Sequence, residues 1–230
     1  MEYVKGKRVI DNLSLSVREG DIYAFVGRNG AGKTTTIKSI VGINHITDGD
    51  ITLNDVSIIK DPIKYKKMIS YVPDNPILYE HLTGIQYLNF IADIYDMSYR
   101  EREKKIEEYA KKFELFNDLG NLVSSYSHGM KQKLVLIASF MHEPLLYVLD
   151  EPFVGLDPKA SFVLKEELKK KAKEGKIVFF STHVLDVAER LCNRIAIIKD
   201  GKLIVDGDMD RIIKDKSLEE VFMELVVEDE

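Results

Sequence analysis

This sequence predicts an α/β fold built on a mostly parallel central sheet, and three observations carry that expectation. Short apolar runs of strand length recur along the chain, at 22–26, 145–150 and 176–181. Segments with apolar positions at helical spacing lie between such runs. Strands that alternate with helices in this way feed a parallel sheet through crossover connections.

The elements follow in order. Residues 9–17 alternate loosely between apolar and polar and run into the turn Glu19-Gly20-Asp21. Residues 22–26 are all apolar and read as a buried strand that ends at Gly27. A helix follows over 33–41, with Ile37, Ile40 and Val41 on one face. Residues 49–53 and 68–72 read as further strands. The texture then changes. Residues 83–114 are dense in charge and aromatics, with Tyr87, Phe90, Ile91, Ile94, Ile106, Tyr109 and Phe113 at helical spacing. This marks a helical insertion over approximately 74–141, whose charged run 100–112 is a solvated helix face. After Pro144 the strand–helix alternation returns, with strands at 145–150 and 176–181 and helices at 158–174 and 184–192. Two more strands, 195–198 and 203–205, flank the turn Lys199-Asp200-Gly201-Lys202, and a short helix over 217–227 precedes an acidic tail. One domain, 1–230, with the helical segment inserted in it, suits this length.

Composition narrows the function. Lys and Arg number 33 against 38 Asp and Glu, a formal net charge of −5, which argues against a nucleic-acid binder with its basic footprint. The single cysteine, Cys192, reads as a small buried apolar side chain and fits a reducing compartment. Residues 1–8 hold no apolar signal core. The longest apolar runs, 134–141 and 145–149, fall short of the ~20 residues needed to span a bilayer. Any membrane role is therefore expected to come through a partner chain.

Chemistry first shows in Gly27-Arg28-Asn29-Gly30-Ala31-Gly32-Lys33-Thr34, which fits G-x-x-x-x-G-K-[ST] between a strand and a helix. Glycines let the backbone wrap so that N–H groups point at phosphate oxygens, and the helix start adds its positive dipole end. Gly27, Asn29, Gly30, Ala31, Gly32, Lys33, Thr34 and Thr35 are thus nucleotide-binding candidates. Lys33 supplies a charge at the β- and γ-phosphates, and Thr34 offers a hydroxyl to Mg²⁺. A glycine-rich turn with an incidental lysine is the blander reading, and the strand–helix context argues against it. The fold expected is that of a P-loop NTPase.

The second feature is the run 145–149, apolar until it meets Asp150-Glu151-Pro152. Two adjacent acids at the end of a buried strand are costly unless a cation or hydrogen bonds compensate them. They also sit at the edge of the sheet where α/β proteins bind ligands. Asp150 is the candidate for holding Mg²⁺. Glu151, facing the other way along the strand, is the candidate general base for the attacking water.

Further segments carry a family resemblance. Tyr126-Ser127-His128-Gly129-Met130-Lys131-Gln132 is similar to the signature segment of the ATP-binding-cassette family, commonly L-S-G-G-Q, and lies a short helix before the Asp-Glu strand. Gly155-Leu156-Asp157 resembles that family's D-loop, Ser181-Thr182-His183 its switch histidine, and residues 68–73 precede its Q-loop position. The resemblance covers nearly the whole chain. It implies a core like that of RecA, an N-terminal antiparallel β portion and the inserted helical subdomain. It also implies a subunit that binds and hydrolyses ATP with Mg²⁺, paired with a second ATP-binding subunit and a transmembrane permease. Such a subunit sits at the cytoplasmic face of the cell membrane, peripheral to it.

The resemblance also distributes roles. Ser127 and Gly129 act on ATP held by the other subunit, although Ser127 alone reads as a plain helix N-cap. His183 bonds the γ-phosphate and its attacking water, beside Glu151 as catalytic residue. Asp74 stands where the family has its Q-loop glutamine, and an acid there reaches Mg²⁺ through water. Tyr3 is the nearest candidate for stacking on adenine. His45, His81 and His142 receive no functional role. The spelling Y-S-x-G-M-K-Q-K, the run Thr34-Thr35-Thr36 and the ending Ser217 to Phe222 look like the branch serving drug, peptide, lantibiotic and ion exporters. The rival reading is a soluble cassette ATPase of DNA repair or translation, which normally carries long coiled coils or two cassettes. A P-loop kinase would leave the signature and His183 unused.

Overall fold

The structure, a computed structural model, describes residues 2–4 and 7–226, with side chains from residue 9 onward. The strands are β1 (Glu2–Val4), β2 (Lys7–Arg8), β3 (Ile22–Val26), β4 (Thr52–Leu53), β5 (Val56–Ser57), β6 (Ile69–Val72), β7 (Leu146–Asp150), β8 (Ile177–Thr182), β9 (Arg194–Lys199) and β10 (Lys202–Asp208). The helices are α1 (Lys33–Ile40), α2 (Pro62–Lys67), α3 (Gly84–Ile94), α4 (Tyr99–Lys112), α5 (His128–Met141), α6 (Pro158–Lys173), α7 (Leu185–Leu191), α8 (Met209–Ile213) and α9 (Leu218–Val226).

Six strands form the central sheet in the order β10-β9-β3-β8-β7-β6, and every pairing is parallel except β10 with β9. This is the α/β architecture expected of a P-loop NTPase. Both faces of the sheet are covered. Ala24 and Val26 of β3, with Tyr147 and Leu149 of β7, pack into one core that also takes in α3, α4, α5, α6, α7 and α9. Tyr23 and Phe25, with Leu146 and Val148, pack into a second core around Ile37 of α1 and Tyr65 of α2. Alternate residues thus serve opposite cores, and continuous apolar runs are what a sheet buried on both faces requires. Two antiparallel pairs, β1–β2 and β4–β5, stand apart from the central sheet.

Local sequence explains most helix starts. The Thr83 hydroxyl accepts from Gln86 N–H while the Gln86 side chain accepts from Thr83 N–H, a capping box that opens α3. Ser98 caps α4, and Asp157, followed by Pro158, caps α6. Asp61 with Pro62 starts α2 in the same way, a helix that the hydrophobic pattern did not reveal.

Two expectations shift. Residues 9–17 form no ladder, although their alternation is real: Ile10, Leu13, Leu15 and Val17 pack against the second core. The strand expected over 49–53 shrinks to β4, because Asp50 turns its carboxylate onto Ile51 N–H and the Ser57 hydroxyl.

Candidate nucleotide-binding site

The glycine-rich loop joins β3 to α1, and its geometry is restrictive. A Cβ on Gly27 would lie 2.6 Å from Ile198 O and 2.8 Å from Ile198 Cγ2, so the neighbouring strand β9 leaves room only for glycine. Gly30 and Gly32 have φ of +84° and +111°, conformations that side chains rarely adopt. The β9–β10 turn braces the loop through Gly201 N–H, which donates to Ala31 O at 2.9 Å. Lys33 is only 7% exposed, and its ammonium donates to Gly27 O at 2.7 Å and to Arg28 O at 3.4 Å. Burial lowers the Lys33 pKa, while Glu151 and Asp150 oppose that shift. Thr34 is exposed beside it, Thr35 is half-buried, and the buried Thr36 hydroxyl donates back to Gly32 O at 3.0 Å.

Sheet register collects the remaining groups. Val26 of β3 is level with Thr182 of β8, Ser181 of β8 with Asp150 of β7, and Leu149 of β7 with Val72 of β6. Four adjacent parallel strands therefore end side by side. Gly27, His183, Glu151 and the segment leading to Asp74 all leave the same edge, as a ligand site of this fold class demands.

The acids are held individually. Asp150 is 1% exposed and accepts from the Ser181 hydroxyl at 2.5 Å. Glu151 N–H donates to the Ser181 hydroxyl and to Ser181 O, both at 3.2 Å. The Glu151 carboxylate takes Nδ1 of His183 at 3.0 Å, accepts from His183 N–H at 3.3 Å, and lies 3.8 Å from Lys33 Nζ. Glu151 itself has φ of +48°, a left-handed backbone that costs about 1 kcal/mol or more for a residue with a side chain. The surrounding bonds keep it there.

Asp74 belongs electrostatically to this group. Burial raises its pKa, as do Asp150 and Glu151, while His128 and His183 pull it back. Tyr71, on β6 just before Asp74 and one strand from Asp150, is pushed up to about 12 by burial, then by Asp150 and Asp74. The signature segment lies at the start of α5. The Ser127 hydroxyl accepts from Met130 N–H at 3.3 Å, so Ser127 is an N-cap and is also exposed. His128 packs on the D-loop: a Cβ on Gly155 would lie 2.6 Å from His128 Cδ2, and one on Gly129 3.0 Å from Gly155 O. Lys133 of α5 ties Asp157 at 2.6 Å and lowers its pKa.

Two residues complete the inventory. Tyr3 falls within β1, and its side chain lies outside the described residues. Phe222 of α9 was not anticipated: with Gly27, Arg28, Asn29 and His183 it lines a shallow depression beside the loop. It is separated from the loop by most of the chain, and the ending Ser217 to Phe222 carries no local sign of lying beside it.

The sequence model of the ABC transporter family matches residues 10–154. The chain is 36% identical over 226 residues to the ABC-type transporter ATP-binding protein EcsA of Bacillus subtilis, covering 96% of this chain and 92% of that one. It is 35% identical over 197 residues to the SkfA peptide export ATP-binding protein SkfE of the same organism, covering 86% and 82%. Among solved structures, the ATP-binding subunit of an ABC transporter superposes with a TM-score of 0.93 at 35% identity, covering 97% of this chain and 95% of that one. The chain belongs to the ABC transporter family, as one of its ATP-binding subunits.

Proposed function

We propose that this chain hydrolyses ATP at a site shared by two cassettes and thereby powers a membrane exporter. The observation that carries the reading is the shared edge of β3, β8 and β7, where Lys33, His183, Asp150 and Glu151 meet. Gly27 to Thr35 wrap the phosphates. Glu151, steadied by His183, orients and deprotonates the attacking water. Ser127, exposed, and Gly129, half-buried, at the start of α5, serve ATP held by the second subunit.

The donor set fits Mg²⁺. The Thr34 hydroxyl, Asp150 and Asp74 are all oxygen ligands, and among the described residues no three acidic, histidine or cysteine side chains converge into a cage. Mg²⁺ is ordinarily held by one or two carboxylates together with nucleotide phosphates, and there it would neutralise charge on the phosphates.

Residues 1–230 act as one domain in this reading, with approximately 74–141 as its inserted helical part. No helix among the described residues is long and apolar enough to cross a membrane. Ile77, Tyr79, Phe90 and Ile94 are large, apolar and exposed at the edge of that insertion. They supply the groove for a cytoplasmic helix of a transmembrane permease, which holds the chain at the membrane's cytoplasmic face. Tyr3 is the proposed adenine partner. The test is Glu151→Gln: ATP turnover should fall by about 10²–10⁴-fold, and the variant should accumulate as an ATP-bound dimer. Turnover at the wild-type rate overturns the assignment of the base.

A further inference from the structure

Tyr126 stands directly before Ser127, where the common signature has leucine. It is 5% exposed, and its hydroxyl donates to Asp118 O at 2.7 Å. Gly84, the first residue of α3, faces it. A Cβ on Gly84 would fall well inside van der Waals contact of the Tyr126 hydroxyl oxygen, and 3.3 Å from Leu119 Cα. The Gly84 backbone is not in the left-handed region, so its lack of a side chain answers to this contact rather than to conformation.

The contact lies at the end of a backbone ladder. Ser124 N–H donates to Glu80 O at 3.1 Å, and Val123 N–H to Leu82 O at 2.9 Å. Gly84 N–H donates to Asn121 O at 3.2 Å, and Ile85 N–H to Leu119 O at 2.8 Å. Beyond it, Lys131 of α5 reaches Glu80 at 2.5 Å. The stretch 80–85, which follows the exposed Ile77 and Tyr79, is thus fastened to 119–124, and Tyr126 is the wedge between that ladder and the signature serine.

We propose that Tyr126 is a positioning residue: seated against Gly84, it fixes the offset between the first turn of α3 and Ser127, so that displacement of that turn is passed to the signature. The inference rests on the reading above, in which Ser127 serves the other subunit's ATP. Glycine is needed at 84 because the tyrosine hydroxyl occupies the space a methyl group would take. An alanine at 84 must push Tyr126, and with it Ser127, away from α3. The nucleotide loop lies on other elements and is left as it is.

The experiment uses the full chain carrying Glu151→Gln, with ATP-dependent dimerisation followed by sedimentation and nucleotide binding to the monomer followed with a fluorescent ATP analogue. Gly84→Ala should weaken dimerisation by about tenfold or more while monomer binding stays within about twofold. Adding Tyr126→Phe to Gly84→Ala should bring dimerisation back to the level of Tyr126→Phe alone, a rescue that general damage to the fold would not give. The proposal is overturned if Gly84→Ala dimerises like its parent, or if the double variant stays at the Gly84→Ala level. It is also overturned if binding and dimerisation fall together. Should Gly84→Ala fail to fold, Tyr126→Phe decides: a folded single variant should dimerise several-fold more weakly, and parental dimerisation overturns the role of the hydroxyl. A Glu151→Gln parent that stays monomeric in ATP overturns the shared-site reading itself, whereas failed rescue in a dimerising parent overturns only the role of Tyr126.

Discussion

Nδ1 of His183 lies 3.0 Å from the Glu151 carboxylate, which also accepts the His183 backbone N–H at 3.3 Å. The two contacts hold the ring in one orientation while more than half of its side chain remains exposed. The carboxylate is likewise held, on a backbone at φ +48°. Each residue fixes the other. His183→Ala should therefore reduce turnover by on the order of 10–100-fold through a loosened Glu151, with ATP affinity changed far less. Steady-state hydrolysis beside equilibrium nucleotide binding makes the check. A parallel loss of both would place His183 in ground-state binding instead.

Lys33 is expected to behave differently. Its ammonium already bonds Gly27 O and Arg28 O, at the mouth of a loop whose backbone is fixed by Ile198 and Gly201. Lys33→Ala should weaken ATP binding by about 1.5–3 kcal/mol, the range for a hydrogen bond to a charged group. Lys33→Arg should not restore it, because a planar guanidinium cannot occupy the small pocket that a single ammonium fills. Titration with a fluorescent nucleotide reads both variants.

Parts of this site could be read directly from the chain, and the reason is physical. The loop from Gly27 to Thr34 is contiguous, so its glycines, lysine and flanking strand and helix appear together in sequence. Asp150 and Glu151 likewise stand out because acids interrupt an apolar run. What could not be read is register. The pairing of Asp150 with Ser181 links residues far apart in sequence, and only that pairing brings His183 onto Glu151. The same holds for Phe222 beside the loop and for the His128 ring on Gly155. Elsewhere pattern and ladder parted company. Residues 9–17 alternate as a strand would, because one side packs on the second core, yet among the described residues no strand pairs with them. A period of two reports burial on one side, not hydrogen bonding.

The exposed apolar edge of the helical insertion makes a third prediction. Ile77 is 93% exposed, and the Tyr79 ring meets Phe90 edge-on at a centroid distance of 5.5 Å. Single exposed apolar residues need no explanation, but this cluster includes Ile94 on the same helix as Phe90. Ile77→Glu should leave stability within about 0.5 kcal/mol, as for surface substitutions generally, and leave ATP binding intact. It should nonetheless abolish co-purification with a multi-span membrane protein. Unimpaired co-purification would move the docking surface elsewhere.

His142, which lies outside the proposed site, is expected to make the fold sensitive to acid. Its ring stacks on Tyr95 at a centroid distance of 3.7 Å, and Nδ1 bonds Ala138 O at 2.9 Å. Burial holds its pKa below the ordinary value of 6.5. The unfolded chain therefore takes up a proton at a higher pH than the folded one does. Stability from this residue is complete above the unfolded pKa and is lost as pH falls below about 6.5 toward the lower folded value. His142→Phe keeps a ring against Tyr95 and removes the proton site. Measured from pH 7.5 down to pH 5, the melting temperature of the wild type should fall relative to that of the variant, most steeply below about pH 6.5. A difference between the two that does not change with pH would mean that His142 is not the group responsible.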